Sequence, residues 1–127
     1  MDVQTLLSAT AKLRDLKAKV RESLQGFHLR DGDIMSIVDR DQRLAIIAES
    51  WKIENAAQAL QNPTTTYEGM AKASQEIIGA CNQIVCLALQ WGNAELEMAG
   101  RRLEDRSDEV GELVFDSELW EELKPDM

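Results

Sequence analysis

The sequence predicts an all-α fold: an antiparallel bundle of three long helices followed by a short acidic C-terminal fourth helix. Apolar residues recur at alternating spacings of three and four along most of the chain, which places them on one face of an α-helix. Helix-stop residues separate these stretches at Gly26 and at Asn62-Pro63. With 127 residues, of which 44% are hydrophobic, the chain is long enough to enclose a single core.

The first helix is predicted over residues 2–25, where the Gly26 stop ends it. A cluster of lysines and arginines in its middle is typical of a solvated face, with a docking surface as the alternative. One apolar stripe runs along this helix, formed by Leu6, Ala9, Leu13, Leu16, Val20 and Phe27.

A second long helix is predicted from Leu44 to the Asn62-Pro63 stop. Asp33 is predicted as an N-cap, which allows a short helix before the long one. The apolar residues of the long helix form two overlapping stripes, a pattern typical of a helix packed on two neighbours. The stripes comprise Leu44, Ile47, Ala48 and Trp51, and Ile46, Ile53, Ala57 and Leu60.

The strongest periodic signal extends from Thr66 to about Leu103, after a Thr-x-x-Glu capping box at residues 65–68. The apolar spacing stays in phase across Gly92, so a continuous third helix is favoured over a break that folds residues 94–106 back. A continuous helix would span roughly 60 Å and overhang its shorter neighbours. We therefore expect Leu96 and Leu103 to need a cover, which the tail, a second copy in a homodimer or another protein would supply.

The net charge of −9 is concentrated in the C-terminal segment. Residues 104–127 contain ten acidic and two basic residues, whereas residues 1–103 contain thirteen acidic and twelve basic residues. This shift divides the chain into a helical bundle over 1–106 and an acidic amphipathic tail helix over 107–127. Large apolar residues at helical spacing among carboxylates are typical of a segment that enters a groove on a partner. A fourth helix that covers the bundle itself is an equally open interpretation of this tail.

The sequence contains few of the residues that commonly act as nucleophiles, bases or zinc ligands. His28 is the sole histidine, and Cys81 and Cys86 lie too far apart on one helix to form a disulfide. We therefore expect no enzymatic activity, no catalytic residue, no metal site and no cofactor. Acidic pairs such as Glu109 with Glu112 leave a Mg²⁺-dependent all-α nucleotide pyrophosphohydrolase as a remote alternative, although their crowding into one segment indicates a solvated face.

The sequence thus predicts a cytoplasmic protein–protein interaction module: an adaptor, assembly factor or small regulator that binds a partner through the long third helix and the tail. The partner would be another protein, with a basic-rimmed apolar groove. Direct nucleic-acid binding is not expected without a basic footprint, and membrane insertion is not expected without an apolar run of ~18 residues. The alternative is an acidic inhibitor, of phage or mobile-element type, that occupies a nucleic-acid-binding site on a host enzyme. The predicted partner-binding residues are Phe115, Leu119, Trp120, Leu123, Leu96 and Leu103.

Overall fold

The computed structural model describes residues 3–115, except for the side chains at positions 5 and 6, and these residues form five α-helices. The all-α prediction is therefore confirmed. Four of the five described helices are long, so the predicted arrangement of three long helices and a short fourth is not confirmed. No strand occurs between residues 3 and 115. The helices are α1 (Val3–Ser23), α2 (Asp31–Met35), α3 (Arg40–Gln61), α4 (Tyr67–Trp91) and α5 (Ala94–Phe115).

Helices α4 and α5 form an antiparallel hairpin, in which residues early in α4 contact residues late in α5. The Tyr67 hydroxyl donates a hydrogen bond to the carbonyl of Val114. Farther along the hairpin, Gly100 approaches α4 so closely that an added Cβ would lie 2.9 Å from Cγ2 of Val85. Small residues on α5 therefore let the two backbones approach each other.

The predicted continuity of the third helix through Gly92 is wrong. Gly92 adopts a left-handed conformation with φ 65° and ψ 30°, and the amides of Gly92 and Asn93 bond back to the carbonyls of Leu89 and Ala88. This is the Schellman arrangement that ends a helix, and glycine adopts it without steric cost. The Asn93 side chain then accepts a 3.1 Å hydrogen bond from the Leu96 amide and caps α5. The helix stop at Gly92 and the N-cap at Asn93 thus end the helix, although the apolar spacing continues in phase across them.

Two further boundaries differ from the sequence-based prediction by short shifts. Thr66, rather than Thr65, caps α4 by accepting a 3.1 Å bond from the Gly69 amide. Asp33 lies inside α2, where its carboxylate accepts from the Arg30 amide over 2.9 Å. Helix α5 runs unbroken to Phe115, so the proposed domain boundary at 106–107 falls inside a helix.

The core lies where α1, α3, α4 and α5 meet. Helix α4 packs against α3 on one side and α5 on the other, while α1 contacts both α3 and α5. The short α2 lies against α3 and α5. None of these described helices is long and apolar enough to cross a membrane. The large, fully buried side chains include Val20, Ile46, Ile53, Leu60, Met70, Ile77, Ile84, Leu96, Leu103 and Val110.

One buried charge ties α1 to the turn between α3 and α4. The ammonium of Lys17 donates to the carbonyls of Asn62, Pro63 and Thr65 over 3.0, 3.0 and 2.6 Å. Burial lowers the pKa of Lys17, since desolvation disfavours its charged form. The three carbonyls offset that cost and fix the position of the turn.

Candidate interaction surface

The structure places the predicted partner-binding residues in different environments. Leu96 and Leu103 are 0% and 1% exposed. The expectation that they form an uncovered stripe is corrected by the turn at Gly92, which folds α5 back onto α4. Phe115 is half-buried and packs against the core at the end of α5. Leu119, Trp120 and Leu123 lie outside the described residues.

An apolar stripe that is open to solvent lies instead on α3. Leu44 is 52% exposed and Trp51 is 65% exposed, and the exposed Ala48 lies between them. Spacings of four and three residues place all three on one helix face. We call Leu44, Ala48 and Trp51 the outer stripe.

The outer stripe faces away from the core. The buried residues Ile46, Ile53 and Leu60 occupy the opposite side of α3. The prediction that both stripes of this helix form one wide packed face is therefore wrong for Leu44, Ala48 and Trp51. At 100° per residue, the two stripes lie on opposite sides of the helix, and only one of them contacts the neighbouring helices.

Charged residues border the outer stripe on both sides. Arg40 and Glu54 flank one side, Asp41 and Lys52 flank the other, and all four are exposed. Lys52 also donates to Oε1 of Glu49 within the same helix over 3.0 Å. The stripe is thus an apolar strip about one side chain wide between two mixed-charge borders.

A shallow groove of 640 Å³ lies at one end of the bundle, where the α2–α3 junction meets the α4–α5 turn. Val38 is 91% exposed at its edge, and Trp91 is half-buried in its wall. Two of its polar side chains serve the fold: Asp39 caps α3 by accepting from the Gln42 amide, and Asn93 caps α5. The groove therefore has a mixed polar and apolar lining, part of which is already used in helix capping.

Comparisons with known proteins give no assignment. No protein-family model, no curated protein and no solved structure matches this chain.

Two features of the described residues bear on metal binding and nucleophilic chemistry. Among residues 3–115, no group of three or more His, Cys, Asp or Glu side chains is placed to hold a metal ion. Burial raises the pKa of the Cys81 thiol from 9.0 to about 12, against the smaller lowering effect of its hydrogen bond with Ser107. A thiol of this kind stays protonated near neutral pH and is a poor nucleophile. Helix α5 contains seven acidic residues and three arginines, Arg101, Arg102 and Arg106, so its surface is net acidic.

The outer stripe is not among the sequence-based predictions, because the apolar residues of α3 are all expected on one core face. A signal was nevertheless present. Leu44 and Trp51 lie seven residues apart on one side, whereas Ile46 and Ile53 lie seven residues apart on the opposite side. Two apolar faces on opposite sides of one helix cannot both pack against the same core, which distinguishes the exposed stripe from the buried one.

Proposed function

We propose that this chain is a protein–protein interaction module without catalytic activity, acting as an adaptor, assembly factor or small regulator. The outer stripe of α3 is its docking surface within residues 3–115. One observation carries the proposal: a tryptophan that is 65% exposed shares a helix face with a half-exposed leucine, on a helix whose other face is anchored in the core.

The size of the apolar surface at Trp51 supports a binding role. A tryptophan presents on the order of 200 Å² of surface, so burying its exposed part would contribute about 3 kcal/mol at 25 cal/mol per Å². Tryptophan is also among the residues most enriched at the centres of protein interfaces. Its placement on a rigid helix, one turn from Ala48 and two from Leu44, lowers the entropic cost of docking.

The acidic tail is a second part of the proposal. Leu119, Trp120 and Leu123 would enter a basic-rimmed apolar groove on the partner, as their spacing predicts. Val110, Gly111 and Val114 are buried in α5, so a deletion that starts at residue 107 would remove part of the core. A truncation that tests the tail should therefore remove residues 116–127 and keep Phe115.

Site-specific photo-crosslinking in the native cell tests the docking surface. A benzophenone side chain at Asn55, which is exposed one turn beyond Trp51, should give a light-dependent protein adduct. The same group at Gln75, an exposed position on α4, is the matched control and should give none. Trp51→Ala should eliminate the Asn55 adduct, and truncation of residues 116–127 should weaken it. Equal adducts at both positions, or none at Asn55, would contradict the proposal.

A further inference from the structure

We propose that the occupant of the outer stripe is the α3 helix of a second copy of this chain, packed antiparallel about a two-fold axis beside residues 47 and 48. This inference rests on the proposed function, because it names the partner of the same surface. It follows from the positions of the apolar residues and of the four flanking charges relative to that axis.

The apolar residues are arranged symmetrically about the axis. Leu44 and Trp51 lie at nearly equal distances on either side of it, so Leu44 of one copy would pack against Trp51 of the other at both ends of the contact. Ala48 lies at the crossing point, where a small side chain lets two helix axes approach to the near end of the usual 8–10 Å range.

The flanking charges are also complementary under this symmetry. An antiparallel two-fold brings the same side of each α3 together. On one side, Asp41 of one copy would then face Lys52 of the other; on the other side, Arg40 would face Glu54. The midpoints of the two pairs lie within one residue of the axis, so the paired groups are level to within about 3 Å along the helix axis.

Each pair occurs twice in the dimer, which gives four opposite-charge contacts around one apolar strip. Exposed ion pairs contribute little affinity individually, but they select the register and the partner. Lys52 also pairs with Glu49 of its own helix, but the Lys52 side chain is 64% exposed, so in the dimer it would exchange or share this pair with Asp41 of the other copy. Among these four flanking residues of each copy no like charges meet, even though each chain has a net charge of −9.

A parallel dimer is the nearest competing arrangement, since it would bring Asp41 opposite Arg40. It would also place Trp51 against Trp51 at one end and Leu44 against Leu44 at the other, so the helices would splay. The antiparallel pair has matched ends and opposes the two helix macrodipoles. A single helix–helix contact of this kind is at the small end of specific interfaces, so a weak dimer with a dissociation constant on the order of 100 μM is expected.

Sedimentation equilibrium on the full chain, from about 1 μM to 1 mM, tests the proposal. The wild type should dimerise within this range. Asp41→Lys and Lys52→Asp should each weaken self-association roughly tenfold, because each turns two attractive pairs into two repulsive ones. An equimolar mixture of the two variants should regain the wild-type association constant, since each variant then faces the complementary charge. Misfolding cannot produce such recovery, and circular dichroism should show that each variant remains helical.

Matched controls carry the same charge changes on α4, where Glu76→Lys and Lys72→Asp alter exposed positions. These variants should dimerise like the wild type. A chain that is monomeric up to 1 mM, or controls that weaken association equally, would overturn the proposal. Recovery of Asp41→Lys by Arg40→Glu rather than by Lys52→Asp would establish the parallel arrangement instead.

The two proposals fail differently. An Asn55 adduct with a different protein, together with a monomeric chain, would overturn the homodimer and leave the docking surface in place. An adduct of twice the chain mass supports both. A monomeric chain with no adduct at Asn55 would overturn both.

Discussion

The α4–α5 interface and the outer stripe of α3 are both built from apolar residues at helical spacing, yet the interface is buried and the outer stripe is exposed to solvent. In the interface, Gly100, Ser107 and Gly111 on α5 bring the backbones close enough for large side chains on α4 to be enclosed. The outer stripe has large residues at Leu44 and Trp51 but no helix of residues 3–115 facing them. Apolar residues at helical spacing therefore identify a helix face that another helix can bury. Small residues on a neighbouring helix identify the helix that packs against it.

The largest difference between the two regions should appear when a leucine is shortened in each. Leu103→Ala should lower the free energy of unfolding by about 2–5 kcal/mol, because it removes a fully buried side chain and leaves a cavity. Leu44→Ala, the matched change on the outer stripe, should alter it by less than about 0.5 kcal/mol. Urea unfolding monitored by circular dichroism measures both. Similar losses would mean that the two surfaces are equally packed.

Alkaline pH should destabilise the sealed interface through Cys81. Because burial raises the pKa of this thiol from 9.0 to about 12, the folded state holds the proton that the unfolded state releases. The stabilisation is complete below pH 9 and is lost as the pH rises to 12, by about 4 kcal/mol in all. Cys81→Ala should therefore show a flatter decline in unfolding free energy than the wild type over this range.

The exposed Cys86 supplies the control for that titration. Cys86→Ala should follow the wild-type decline, because the same buried thiol is still present. Burial also raises the pKa of Tyr67, which adds alkaline loss to all three proteins alike. If the unfolding free energies of Cys81→Ala and Cys86→Ala decline in parallel with rising pH, the buried thiol is not the origin of the alkaline loss.

Two glycines should respond in opposite directions to the same substitution. Gly100→Ala would place a Cβ 2.9 Å from Cγ2 of Val85 and 3.4 Å from its backbone nitrogen, so α4 and α5 must separate. The expected net loss of unfolding free energy is about 1–2 kcal/mol, after the gain in helix propensity. Gly79→Ala on α4 meets nothing within 4 Å and should stabilise by about 0.5–1 kcal/mol. Stabilisation by both changes would show that the helices are not in close contact at Gly100.

The helices were largely predictable from local signals, because a helix stop acts within a few residues. Gly26 ends the first helical segment in a left-handed conformation, and Asn62-Pro63 follows the end of α3, as expected. A continuous helix is predicted instead of the turn at Gly92, because Met98 fits the apolar spacing of α4. Met98 is 74% exposed, whereas the buried stripe of α5 runs through Leu96, Leu103 and Val110 in a different phase. Two apolar phases on either side of a Gly-Asn pair indicate a turn.

The candidate surface was less predictable, because exposure depends on tertiary contacts. Leu44 and Leu103 are the same residue type in similar helical patterns, and only the path of the chain decides which one is enclosed. Small residues offered a partial guide. Gly100 and Gly111 make α5 a close-packing helix, which explains why Leu96 and Leu103 lie in the core rather than on a partner-binding surface.

The smallest effect on folding should come from the largest exposed side chain. At about 1 μM, where the proposed dimer is dissociated, Trp51→Ala should change the unfolding free energy by less than about 0.5 kcal/mol, since the side chain lies mostly in water. The same substitution should abolish self-association at 1 mM, so stability and binding are separated in a single variant. A loss of 2 kcal/mol or more at low concentration would instead mean that Trp51 packs on its own chain. Trp51 would then belong with Leu103 as a core residue, and the contrast between a sealed and an open apolar face would disappear.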